Sequence, residues 1–73
     1  MSNPVAVPVE GDTIRLGQFL KLANLIDSGA EAKTVIARGL VRVNDEVELR
    51  RGRQLQNGDV IVLAGREVRV ALN

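Results

Sequence analysis

The hydrophobic period of this chain switches from helical to alternating at Gly39, and that change restricts its fold more than any other feature. From Leu16 to Gly39 apolar residues recur at helical spacing, and after Gly39 they alternate. Leu16, Phe19, Leu20 and Ala23 fall at i, i+3, i+4 and i+7, which is one face of a helix. The spacing predicts a short helix over about 16–23, ending near Asn24. Gly17 inside it costs about 1 kcal/mol relative to Ala, so packing must hold this helix. Ser28-Gly29-Ala30-Glu31 has the form of a capping box, in which the serine oxygen accepts a backbone N–H three residues on and Glu31 reaches back. Ala32, Val35, Ile36 and Gly39 share the next face. Arg38 suits the negative end of a helix and Gly39 its left-handed stop. A second helix is therefore expected over about 29–38.

Beyond Gly39 the residues Leu40-Val41-Arg42-Val43 alternate, Asn44-Asp45 is a turn pair, and Glu46-Val47-Glu48 returns. Gln54-Leu55 predicts a short strand and Asn57-Gly58 a turn. Val60-Ile61-Val62-Leu63 predicts the best strand of the chain, and Ala64-Gly65 turns into another over 67–71. These elements give an α+β domain, with two short helices packed on a small antiparallel sheet. Pro4 and Pro8 oppose regular pairing at the N-terminal end. Residues 1–12 are accordingly expected as a flexible arm, and residues 13–73 as one domain.

Composition excludes several functions. The chain has 73 residues, no cysteine, histidine, tryptophan or tyrosine, and Phe19 is its only aromatic. A domain this small buries only about 60% of the surface its unfolded chain exposes, which leaves little room for a cleft. Histidine acid–base catalysis, Ser/His and Cys/His nucleophiles and His- or Cys-ligated zinc are impossible within it. Asp45, Glu46 and Glu48 are expected in an exposed turn without calcium-loop spacing, so no metal, no cofactor and no enzymatic activity are expected. No apolar run approaches the 18 or so residues that span a bilayer, and nothing resembles a signal peptide. The expected location is the cytoplasm, away from membranes, and the expected state is a monomer. A lone aromatic also disfavours stacking of unpaired bases.

The formal charge of +1 conceals a strong segregation. Residues 1–12 and 39–49 each carry −2, the two predicted helices are mildly basic, and residues 50–53 carry +3. Eight of the ten bases are arginine, whose planar guanidinium forks onto phosphate oxygens. Arg50-Arg51-Gly52-Arg53 suits a phosphate backbone, and it equally suits a solvated loop whose arginines blunt a sheet edge. Lys33 lies opposite the apolar stripe of the second helix, either toward an anion or simply paired with Glu31. Arg42 points away from Val41 and Val43, toward the surface. Lys21, Lys33, Arg38, Arg42, Arg50, Arg51 and Arg53 are the candidate nucleic-acid contacts, with Lys21 and Arg38 as outer ones.

Arg15-Leu16, Ser28-x-x-Glu31-Ala32-Lys33, Ile36, Gly39-x-Val41-Arg42-Val43-Asn44 and Gly58-Asp59-Val60-Ile61 stand in the order and spacing of the S4 RNA-binding domain. The stretch from Arg15 to Leu63 resembles that family, and its runs are similar to those of the stand-alone bacterial YbcJ/YaaA-like group. The resemblance implies the αL arrangement of two helices and a hairpin. It also implies structured RNA as ligand, ribosomal or transfer RNA as the usual class, and a role near the ribosomal subunit in assembly or translation. Many S4 domains carry arginine where this chain has Gly29 and a second base where it has Thr34. By that comparison, loop 50–53 supplies the charge that the second helix lacks. A different reading of the same chain is a protein-interaction adaptor docking on a ribosomal or other partner. In that reading the proline–valine arm and the strand after Asn57-Gly58 add to a partner's sheet.

Overall fold

The computed structural model describes residues 4–73. In chain order the elements are β1 (Val5–Val9), β2 (Ile14–Arg15), α1 (Leu16–Leu22), α2 (Gly29–Ala37), β3 (Val41–Val43), β4 (Glu46–Val47), β5 (Gln54–Leu55), β6 (Val60–Leu63) and β7 (Arg66–Leu72). The α+β class and both helices are as expected. The main sheet has the order β1-β7-β6-β3-β4, and β2 pairs with β5 in a small second sheet.

Both helices stop by the same device. Asn24 (φ 62°) follows α1 and Gly39 (φ 72°) follows α2, each in the left-handed region. The N–H groups of Leu25 and Leu40 reach back to the carbonyls of Leu20 and Val35 at 3.0 and 3.1 Å, which satisfies carbonyls that the helix leaves open. At the start of α2, Glu31 N–H donates to Ser28 Oγ at 3.2 Å. The Glu31 carboxylate reaches one residue further back than a capping box requires, accepting from Asp27 N–H at 2.8 Å. The start of α1 has no acceptor on its N-cap side chain, though Gln18 Oε1 accepts from the Arg15 N–H at 3.3 Å. Its first N–H groups, on Leu16 and Gly17, donate instead to the carbonyls of Arg53 (2.8 Å) and Arg51 (3.0 Å). The basic loop is thus the cap of α1, and the short β2–β5 pair (Ile14 opposite Leu55, Arg15 opposite Gln54) holds that junction in register.

The expected unpaired arm is corrected. Its first three residues lie outside the described ones, but Val5–Val9 pairs parallel with β7, Val5 opposite Val68 through Val9 opposite Leu72. Along a parallel strand the bonding groups alternate in direction. Asn73 N–H donates to the Val9 carbonyl at 3.1 Å, so the odd residues face β7 and the nitrogen of Pro8 faces away from it. Proline is tolerated there because β1 is an edge strand. The sheet is therefore mixed, with one parallel pair. The strand after Asn57-Gly58 is corrected as well: β6 lies between β7 and β3, so both its edges are occupied and it cannot join a partner's sheet.

One face of the main sheet is buried. Val41, Val43, Ile61, Leu63, Val68 and Val70 form it, packed with Leu16, Phe19, Leu20, Ala32 and Ile36 from the helices. Val9 of β1 and Leu55 of β5 join that core. The opposite face carries Arg42, Val62 and Glu67 in cross-strand register, with Val60 beside Arg69. Among the described residues no helix is long and apolar enough to cross a membrane.

Candidate functional site

Between α1, the start of α2 and the basic loop lies an open cavity of about 350 Å³. Arg15, Gly17, Gln18, Lys21, Gly29, Ala32, Arg51 and Gly52 line it. Three cations surround it, and no carboxylate lines it among the described residues. Each cation arrives from a different piece of local structure. Arg15 is the residue on which α1 begins, and its backbone N–H donates to Gln18 Oε1 at 3.3 Å. Lys21 stands nearly two turns further along the same helix. Arg51 comes from the loop whose carbonyls cap α1. Three glycines line the same space, and where a ligand must reach backbone a missing side chain allows the approach.

Arg51 crosses α1 at Gly17. A Cβ at position 17 would stand 2.7 Å from Arg51 Cγ and 3.3 Å from its Cδ. The glycine that weakens α1 is thus the one over which the arginine stem passes.

The other two loop arginines serve a different purpose. Glu48, expected in an exposed turn, is buried at 7% exposure. Its carboxylate accepts from Arg50 Nε at 3.1 Å, Arg50 Nη2 at 3.3 Å, the Arg50 backbone N–H at 3.0 Å and Arg53 Nη1 at 2.9 Å. The Arg50 side chain, above all, draws the Glu48 carboxyl from 4.5 down to about 2. Burial pushes the other way, while the Arg50 N–H and the Arg53 guanidinium add to the lowering. Reciprocally, hydrogen bonding and the charge of Glu48 raise the Arg50 guanidinium above its usual value.

Of the seven residues singled out from sequence, the structure places Lys21 and Arg51 on the cavity. Lys33 is exposed on α2, one turn beyond Gly29 on the flank of the cavity. Arg50 and Arg53 brace the loop through Glu48. Arg38 is the residue on which α2 ends, at the far end from Gly29. Arg42 lies on the sheet face turned away from the core, opposite Val47 and Val62. Two lining residues with polar side chains, Arg15 and Gln18, were not among the sequence candidates. Arg15 stands immediately before the apolar stripe, so its placement at the helix start was the available signal.

The S4 domain model matches residues 7–71. Over 65 residues the chain is 49% identical to a probable ribosome maturation protein, RlbA, of Bacillus subtilis, covering 89% of each chain. Over 57 residues it is 39% identical to a putative RNA-binding protein, YbcJ, of Escherichia coli, covering 78% of this chain and 81% of that one. The solution structure of E. coli YbcJ, reported to reveal an αL motif involved in RNA binding, superposes with a TM-score of 0.71 at 35% identity. That match covers 97% of this chain and 91% of YbcJ. The 30S ribosomal protein S4e of Thermoplasma acidophilum gives a TM-score of 0.66 at 27% identity, over 86% of this chain and 33% of its own. With the family model spanning nearly all the described residues and close relatives matched along most of their length, this chain belongs to the S4 domain family.

Proposed function

We propose that this protein is an RNA-binding module, not an enzyme, that grips folded RNA by its phosphates in the cavity between α1, α2 and the basic loop. The observation that carries this reading is the convergence of Arg15, Lys21 and Arg51 on one open cavity that no carboxylate lines among the described residues. Guanidinium and ammonium groups so grouped favour phosphate oxygens, the guanidiniums in bidentate fashion. Lys33 on the flank supplies an outer contact. Phe19, the single aromatic, is fully buried in the core and offers no platform for a splayed base. Recognition therefore rests on phosphate positions and on the shape of a helix or junction.

The names of the relatives support one class of RNA. One carries the name of a ribosome maturation protein and another that of a putative RNA-binding protein, and a structural neighbour is itself a ribosomal protein. Ribosomal RNA, or transfer RNA at the ribosome, is the ligand we assign, with ribosome maturation or translation in the cytoplasm as the process.

Crosslinking in living cells followed by sequencing of the attached RNA tests this assignment. Enrichment of discrete sites in ribosomal or transfer RNA is expected, and recovery of only random messenger fragments would refute it. Nuclease treatment of cell extracts separates the alternative. An RNA-bound protein leaves its complexes when the RNA is digested, whereas an adaptor held by a protein partner stays.

A further inference from the structure

We propose that Glu48 and Gly17 are positioning residues for RNA binding: together they hold Arg51 in the cavity, Glu48 from behind the loop and Gly17 by leaving room for the arginine stem. The proposal rests on the cavity being the RNA site.

A carboxylate beside a phosphate-binding loop opposes the approach of RNA, so its presence calls for a compensating role. Glu48 meets that description, being next to the loop and buried. Its partners are the two residues that flank Arg51-Gly52, so one side chain closes the loop from both ends. The Arg53 N–H donates to the Arg50 carbonyl at 3.3 Å and completes the turn. Closure aims the carbonyls of Arg51 and Arg53 at the first N–H groups of α1. Three guanidiniums within four residues would otherwise repel one another and splay. With Arg50 and Arg53 engaged, Arg51 is the loop arginine that forms no ion pair among the described residues. Gly17 completes the arrangement by leaving a passage for the arginine stem, since a methyl group there would meet Arg51 Cγ at 2.7 Å.

Simple reasoning about each position predicts the opposite outcome. Glu48→Gln removes a negative charge, which should strengthen attraction to phosphate. Gly17→Ala should favour the helix. If both residues act by placing Arg51, each change weakens RNA binding instead.

The test uses the full chain and a fluorescently labelled RNA stem–loop, with affinity read by anisotropy at one salt concentration. Glu48→Gln, Gly17→Ala, Arg51→Ala and the two double variants containing Arg51→Ala are compared below their unfolding temperatures. Each single change is expected to weaken binding about fivefold or more. In the Arg51→Ala background, neither Glu48→Gln nor Gly17→Ala should cause further loss, since coupled residues are not additive. Glu48→Gln binding as tightly as the parent or tighter overturns the proposal. So does a loss that persists undiminished without the Arg51 side chain. If Arg51→Ala itself binds like the parent, the cavity is not the RNA site and the underlying reading fails first. Gly17→Ala leaves the Glu48 bracket intact, so it separates misplacement of Arg51 from any loosening of the fold caused by Glu48→Gln.

Discussion

Glu48 accepts four hydrogen bonds from two arginines while its own side chain is only 8% exposed, and this fixes its behaviour toward acid. Arg50 is 75% exposed and Arg53 32%, so solvent screens both ion pairs in part. Together they favour the ionised carboxylate in the folded protein, with solvent screening the Arg50 pair most. In the folded protein the carboxyl titrates at about 2, against 4.5 for an unperturbed one. The unfolded chain therefore takes up the proton first. The stabilisation is complete above about pH 4.5 and is lost as the pH falls toward 2. Thermal unfolding followed by circular dichroism should show the parent's Tm dropping across that window, and Glu48→Gln dropping distinctly less. Equal slopes would place the acid sensitivity in other carboxylates. Sequence reading found the basic run because three arginines in four residues are visible locally. It could not assign two of them to Glu48, because a carboxylate at the end of an acidic turn looks solvated until the fold buries it.

At the level of elements, local chemistry was legible wherever a local device ends or turns the chain. Ser28 caps α2, Gly39 stops it and Asn44-Asp45 turns β3 into β4, with φ of 52° and 70° at the turn residues. The β1–β7 pairing was not legible, because it joins segments about 60 residues apart and pairs them parallel. Nor was the use of loop carbonyls to start α1, since backbone acceptors leave no signature in side chains. Ala64-Gly65 shows a local device built with a poor residue. Both positions lie in the left-handed region, at φ 54° and 77°, as the tight hairpin between β6 and β7 requires. Alanine pays about 1 kcal/mol or more for that conformation, whereas asparagine adopts it readily. Ala64→Asn should therefore stabilise the domain by about 1 kcal/mol and raise its Tm by about 4–8 °C. Ala64→Val, branched at Cβ, should lower it. Differential scanning calorimetry of the two variants checks both signs, and an unchanged Tm in Ala64→Asn would show that the turn carries no such strain.

Across the whole molecule the domain presents two dissimilar faces. The helix side gathers Arg15, Lys21 and Arg51 around one cavity, with Lys33 exposed on α2 one turn beyond Gly29. The outer sheet face sets Arg42 beside Val62 and Glu67, so its charges are mixed and lie on the side of the sheet opposite the buried helices. Net charge alone does not distinguish these faces, and a reading by charged residues counts Arg42 equally with Lys21. Their placement distinguishes them, and it gives a prediction in three parts. Arg15→Ala should weaken RNA binding and reduce the slope of log affinity against log salt by about 1, the loss of one phosphate contact. Arg42→Ala, which makes the same change in net charge, should leave the slope unchanged and affinity within about twofold. Gly29→Arg should tighten binding, because a Cβ at position 29 would meet nothing within 4 Å and Gly29 lines the cavity. Its cost in stability is about 0.3–1 kcal/mol, since a cation at the start of α2 opposes the helix dipole. Salt titrations of the three variants against one RNA stem–loop decide the matter. If Arg42→Ala and Arg15→Ala lower the salt slope equally, the RNA does not distinguish the two faces, and binding follows net charge instead of the cavity.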